Sequence, residues 1–352
     1  MSLEDRVYEL AADVLPADAS AAEAARERHA ALAKPPGSLG RMEEMGVKLA
    51  GMAGECPPTV PESPAVVLCA GDHGVLARGV SPWPQDITAA MVRNFCSGGA
   101  AVNSFARTTG ARLSVLDVGV ASDLERHPML RSAKVRRGTD DLSRRPAMER
   151  EEAARAVVAG AGVVAELVES GGVDLLVTGD MGIGNTTPAA CLIAALTARS
   201  ATEVTGRGTG VDDSTLELKI RVVQEALELH GPDPGDPIGA LAALGGLEHA
   251  ALVGVILAGA IYGVPVVLDG VVSNSAALVA HALSPACVDY AIAGHLSTEP
   301  GARIALESLG LTPLLDLEMR LGEGTGSLLA VPLVQAAARV LGDMAMLEDL
   351  VF

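Results

Sequence analysis

Aromatic side chains are scarce. One tryptophan, three tyrosines and three phenylalanines serve 352 residues. An aromatic core is excluded, and with 49% apolar residues the interior must be built from Ala, Val, Leu and Ile. Lysine is equally rare: Lys34, Lys48, Lys134 and Lys219 are all there are, and the net charge is −18. That balance excludes sustained binding to nucleic acid or to an anionic membrane. The one concentration of basic residues, Arg126 to Arg145, reads as a solvated face. The five cysteines are widely spaced with no CxxC pair, which argues against a disulfide framework or a zinc knuckle and for free thiols in a reducing compartment. The acidic start, Met1-Ser2-Leu3-Glu4-Asp5, has no signal-peptide pattern, so a cytoplasmic location is expected. Ala250 to Leu268 carries no charge and approaches the length of a bilayer span. Gly263 and Pro265 interrupt it, however, and a buried helix followed by a buried strand accounts for it better.

What is present is glycine, 39 residues of it, and a repeating pattern. Short, wholly apolar runs end in small or acidic residues. Ala65–Ala70 leads into Gly71-Asp72-His73-Gly74, Leu113–Leu116 into Asp117-Val118-Gly119, and Leu175–Thr178 into Gly179-Asp180. Val264–Leu268 leads into Asp269-Gly270, and Val288–Ala293 into Gly294-His295. Helical patterns such as Glu151–Glu169 and Pro188–Ala198 separate most of them. Strands apolar on both faces, alternating with helices, imply a doubly wound, mainly parallel sheet in a three-layer, Rossmann-like α/β fold. Ligands of such sheets bind beyond the carboxyl ends of the strands, where the polar and glycine-rich residues fall. Residues 1–30 read as helical, as does the chain from Arg303 to Leu309 and from Ser327 to Leu341. The expected organisation is a large α/β domain, 31–302, and a smaller helical domain formed by 1–30 with 303–352. The Lys34–Gly40 stretch, with two prolines, is a fixed loop.

Three segments carry the candidate chemistry. Gly179-Asp180-Met181-Gly182-Ile183-Gly184-Asn185-Thr186-Thr187-Pro188 follows a strand and opens a helix, with Thr187 as N-cap and Pro188 as first helical residue. Its exposed N–H groups suit a phosphate; a tight turn without a ligand is the other reading. It is neither GxGxxG nor a Walker A loop. Gly206-Arg207-Gly208-Thr209-Gly210-Val211-Asp212-Asp213 precedes a helix carrying Lys219 one turn in. That lysine either reaches a bound phosphate or is solvated, and the Asp pair either binds a metal or starts the helix. Arg320-Leu321-Gly322-Glu323-Gly324-Thr325-Gly326 sets a carboxylate between glycines. This gains nothing for folding and makes sense if Glu323 projects into a cleft. Asp72-His73 resembles a metal or acid–base pair, but no third ligand stands at useful spacing, so a structural histidine fits better. No GxSxG elbow supports serine hydrolysis.

Taken together the chain resembles the nicotinate-nucleotide:dimethylbenzimidazole phosphoribosyltransferases of cobalamin synthesis. KPPGSLG (34–40), AGDHGV (70–75), Trp83-Pro84-Gln85, GDMGIGNTTPAA (179–190), GRGTG (206–210), LDG (268–270), HLSTEPGARIALE (295–307) and RLGEGTG (320–326) occur in that family's order. The resemblance implies a homodimer and the reaction of nicotinate mononucleotide with 5,6-dimethylbenzimidazole. It implies Glu323 as general base, and Asp180 at a second acidic position where glutamate is the expectation. Gly182, Ile183, Gly184, Asn185, Thr186, Gly208, Thr209, Gly210, Lys219 and Ser297 would hold the nucleotide and its phosphate. Gln85, Leu321 and Gly322 would wall the benzimidazole pocket. No metal and no cofactor are implied. The alternatives are a nucleotide-binding paralogue without this turnover, or a transferase for another acceptor such as adenine or a phenol.

Overall fold

The computed structural model describes residues 2–350. Its strands are β1 (Pro64–Gly71), β2 (Arg112–Gly119), β3 (Leu130–Ser132), β4 (Leu175–Met181), β5 (Val266–Leu268) and β6 (Ala291–Ala293). The helices before β4 are α1 (Leu3–Ala12), α2 (Ala19–Ala31), α3 (Arg41–Ala53), α4 (Asp86–Ser97), α5 (Ala101–Thr109) and α6 (Arg150–Glu169). After it come α7 (Thr186–Thr197), α8 (Ala201–Val204), α9 (Asp213–His230), α10 (Pro237–Leu244), α11 (Leu247–Ile261), α12 (Val271–Leu283), α13 (Pro300–Ser308) and α14 (Thr325–Asp343).

All six strands pair in parallel, in the order β3-β2-β1-β4-β5-β6. This is the order of a doubly wound sheet, whose direction of growth reverses between β1 and β4. Both central strands are buried from end to end, which is why they appear in the sequence as unbroken apolar runs rather than as alternation. Helices α6 and α11 cross closely against the sheet. A Cβ on Gly160 would lie 1.9 Å from the Ala251 carbonyl, and one on Gly254 would lie 1.9 Å from that of Val157. The uncharged 250–268 stretch is thus the bulk of α11, buried on all sides, followed by β5.

The two ends of the chain meet. Leu32 pairs with Met346 in an antiparallel bridge, and Ala25 of α2, Ala50 of α3 and Leu341 of α14 pack in one cluster. Helix α1 packs instead on α6. Among the described helices, α14 is long and apolar enough to span a bilayer, but more than half of it is buried inside the protein. The basic 126–145 segment is not simply a solvated face. It contains the edge strand β3, and its charges are answered locally: Arg136 by Glu152 and Asp140, Arg137 by Asp123, Lys134 by Asp117.

Candidate active site

A cleft of about 350 Å³ opens beyond the carboxyl end of β4 and the loops that follow β5 and β6. Its floor is the β4–α7 loop. Gly182 is obligatory there, since a Cβ would stand 2.4 Å from the Gly71 carbonyl at the end of β1. Helix α7 starts at Thr186, so Asn185, and not Thr187, occupies the cap position. The Asn185 side chain does not cap the helix. It donates through Nδ2 to Asp180 Oδ2 at 2.8 Å. The first turn of α7 therefore faces the cleft without a side-chain cap, as an anion seat requires.

The 206–210 loop forms one wall. Glu299 Oε1 accepts from Gly208 N at 2.7 Å. Lys219, reaching from α9, is 1% exposed and donates to Thr186 Oγ1 at 3.0 Å and to the Gly206 carbonyl at 2.8 Å. It is not a solvated lysine. Burial lowers its pKa, with Glu299 opposing. Arg320 joins the same corner, its Nη1 3.3 Å from the Gly208 carbonyl. The Asp pair has structural work instead: Asp212 caps α9 through Thr215 N at 2.8 Å, and Asp213 pairs with Arg207.

Glu323 forms the third side. It sits at φ +64°, between Gly322 at +82° and Gly324 at +83°, so three successive residues are left-handed. For a residue with a Cβ this costs about 1–2 kcal/mol. The turn is held by Asp269, whose Oδ2 accepts from Gly324 N at 3.1 Å and whose Oδ1 accepts from Gly326 N at 3.0 Å, Ser327 N at 3.1 Å and Ser327 Oγ at 3.2 Å. One buried carboxylate thereby satisfies the otherwise orphaned N–H groups that open α14. Burial alone would raise the pKa of Asp269. His295, whose Nε2 is 3.4 Å away, and the Ser327 and Gly324 N–H groups outweigh it and hold the carboxyl below its usual range. Glu323 itself is 4% exposed, and its Oε2 has no partner. Burial pushes its pKa up to about 7, opposed by the Val102 N–H and helped by the charge of Asp269. Asp180 faces Gly322, where a Cβ would meet its Oδ2 at 3.2 Å. Burial, then the charges of Asp269 and Glu248, drive the Asp180 pKa well above the carboxylate range.

A family model described as phosphoribosyltransferase matches residues 14–350. The nicotinate-nucleotide–dimethylbenzimidazole phosphoribosyltransferase of Salinispora tropica is 54% identical over 348 residues, covering 95% of each chain. That of Chloroflexus aggregans is 52% identical over 330 residues, covering 94% of this chain and 93% of its own. The crystal structure of the Thermus thermophilus enzyme of that name superposes with a TM-score of 0.90 at 46% identity, covering 94% of this chain and 98% of the other. The chain belongs to the nicotinate-nucleotide–dimethylbenzimidazole phosphoribosyltransferase family.

Around this cleft, most residues singled out from sequence converge. Asp180, Gly182, Ile183, Asn185 and Thr186 line the cleft from the β4–α7 loop. Gly208, Thr209 and Ser297 line it from one side, Leu321, Gly322 and Glu323 from the other. Gly184 and Gly210 are not at the surface of the cleft but shape its loops, at φ +91° and +104°. Gln85 is exposed at the start of α4 and lies outside the lining. The wall there is made by Trp83, Ile87 and Met91. Ile87 and Met91 are four apart on a helix, a spacing visible in the sequence but equally that of an ordinary core face. Glu299 and Arg320 were missed as wall residues, and Asp269, named only within a motif, gave no sign of its clamp.

Among the described residues, one group has the composition of a metal site: His73, Glu248 and His249. Glu248 Oε1 lies 2.7 Å from His73 Nε2 and 2.9 Å from His249 Nδ1. Ligands bound at 2.0–2.1 Å in a tetrahedral site are roughly 3.3 Å apart. The spacing is tighter than that of ligands around one ion, His73 and Glu248 share a hydrogen bond, and the group is a buried polar triad.

Proposed function

We propose that this chain transfers the phosphoribosyl group of nicotinate mononucleotide to 5,6-dimethylbenzimidazole, releasing nicotinate and α-ribazole 5′-phosphate. The observation that carries the reading is Glu323: a buried carboxylate with a bare oxygen, titrating near neutral pH, on the rim of a cleft whose other side offers an anion seat. In the donor the leaving nitrogen is already a cationic pyridinium, so its departure needs no general acid. The acceptor attacks C1′ through one ring nitrogen, the C1′–nitrogen bond to nicotinate breaks, and the proton on the acceptor's other nitrogen passes to Glu323. A base with a pKa near the operating pH is suited to that transfer, typically worth about 10²–10⁴-fold. Attack opposite the leaving group turns a β-nucleotide into an α-riboside.

Lys219, Thr186 and the 206–210 loop would receive the 5′-phosphate, with Arg320 beside them. Asp180, favoured in its neutral form by its surroundings, would position groups through Asn185 rather than accept the proton. Trp83, Ile87, Met91 and Leu321 would enclose the acceptor. With no pyrophosphate leaving, the chemistry has no need of a metal to neutralise one. The family resemblance extends the proposal to a homodimer, checked by sedimentation. The reaction is tested by mixing the protein with both substrates in EDTA and separating products by chromatography. Nicotinate and α-ribazole phosphate in equal amounts are expected, and their absence refutes the reading. Adenine and a phenol in parallel reactions identify the acceptor.

A further inference from the structure

The proposed reaction leaves unused three fully buried polar side chains behind the cleft floor. His73 follows β1, and Glu248 and His249 open α11. Glu248 Oε1 accepts from His73 Nε2 at 2.7 Å and stands 2.9 Å from His249 Nδ1. The two rings are perpendicular, with centroids 6.0 Å apart and an interplanar angle of 85°. The group is tightly walled: a Cβ on Gly71 would lie 2.8 Å from Glu248 Oε2, and one on Gly246 would lie 2.7 Å from the same atom. It also adjoins the cleft floor. The Cβ position of Gly182 is 3.0 Å from His73 Nε2, and Gly182 lines the cleft two residues from Asp180. No side chain intervenes, so any displacement of the His73 ring reaches the main chain of the floor directly.

We propose that His73 and Glu248, with His249 as second partner, are positioning residues, a buried hydrogen-bonded pair that carries the 180–185 loop and sets the height of the nucleotide seat. The proposal rests on the functional reading above. Burial by itself would strip the proton from His73 and add one to Glu248. The mutual attraction overcomes this, holding His73 above its ordinary pKa and Glu248 below its own. The titratable groups facing the pair are Asp72, Asp180 and Cys69, each raised chiefly by burial and further by the charge of Glu248. A neutral pair in total therefore leaves Asp180 with less anionic charge beneath it than Glu248 alone would impose.

Glu248→Gln in the full-length protein keeps size and an acceptor oxygen and removes the charge. The expected result is a folded variant whose KM for nicotinate mononucleotide rises by about tenfold or more, the scale set by losing one charged hydrogen bond beneath the seat. The KM for the base, whose wall is on α4, should move much less. Nitrogen-15 NMR should show His73 as imidazolium in the wild type at pH 7.5 and neutral in the variant. A folded variant with an unchanged nucleotide KM, or a neutral His73 in the wild type, overturns the proposal. If Glu248→Gln does not fold, His73→Gln, which keeps an N–H donor without the cation, is held to the same KM criterion. Wild-type turnover is measured alongside. Its absence refutes the functional reading, and the NMR result and the nucleotide Kd then decide the pair. Its presence with an unaltered variant refutes the positioning role alone.

Discussion

Glu323→Gln should make the protein more stable while disabling it. The folded-state pKa of about 7 against an ordinary 4.5 means that the native protein holds this proton more tightly than the unfolded chain does. The stability tied to that proton is complete below pH 4.5 and is lost as pH rises through about 7. Above that, the wild type carries an ionised, buried carboxylate at a cost of roughly 3–4 kcal/mol, from a difference of about 2.5 pH units at about 1.4 kcal/mol each. Glutamine carries no such cost and leaves the left-handed backbone unaltered, so the strain of the turn cancels in the comparison. Denaturant titrations of both proteins should show the variant ahead by ~3 kcal/mol at pH 8 and by less than about 1 kcal/mol at pH 5. Turnover should fall by about 10²–10⁴, and wild-type kcat/KM should drop tenfold per pH unit below about pH 7. A variant no more stable than wild type at pH 8, or equally favoured at both pH values, would show that the buried carboxylate is not what sets the energetics of this turn.

Two further substitutions separate the parts of the site. Lys219→Met retains the volume and removes the cation, and a charged hydrogen bond of about 1.5–3 kcal/mol predicts a KM for the nucleotide raised by ~10–100-fold with a smaller change in kcat. Asp269→Asn replaces one acceptor oxygen by an amide that confronts the N–H groups opening α14. It should lower Tm by several degrees and cut kcat while leaving the nucleotide Kd near that of the wild type, and steady-state kinetics with calorimetry will read both.

The sheet was legible because parallel strands buried on both faces must be apolar without interruption, and the loops beyond them must then carry the polar chemistry. The edge strand β3 was not. Three residues of an edge, Leu130 to Ser132, among arginines have no such constraint. Glu323 stood out because flanking glycines signalled a conformation that a carboxylate has no structural reason to seek. Its clamp was invisible: Asp269 meets its partners 55 to 58 residues later, and only the fold brings a strand end to a helix start. The same holds for His73, which found its carboxylate 175 residues away. Lys219 was ambiguous because an off-stripe helical lysine is solvated or inserted according to what lies above it, and Thr186 comes from another strand loop.

The loop that would seat the donor and the residue that would accept the proton are separated by most of a domain's length of chain, Asp180 to Glu323. At elongation rates of about 5–20 residues per second, the β4–α7 loop leaves the ribosome on the order of ten seconds before the turn that carries the base. The 206–210 loop, Lys219, Glu248 and Ser297 follow in turn, so the growing polypeptide has the makings of a nucleotide seat before it can do any chemistry on what sits there. A nucleotide bound to that intermediate would be held rather than consumed, and by binding the folded sheet and not the unfolded chain it would favour folding of the part already made.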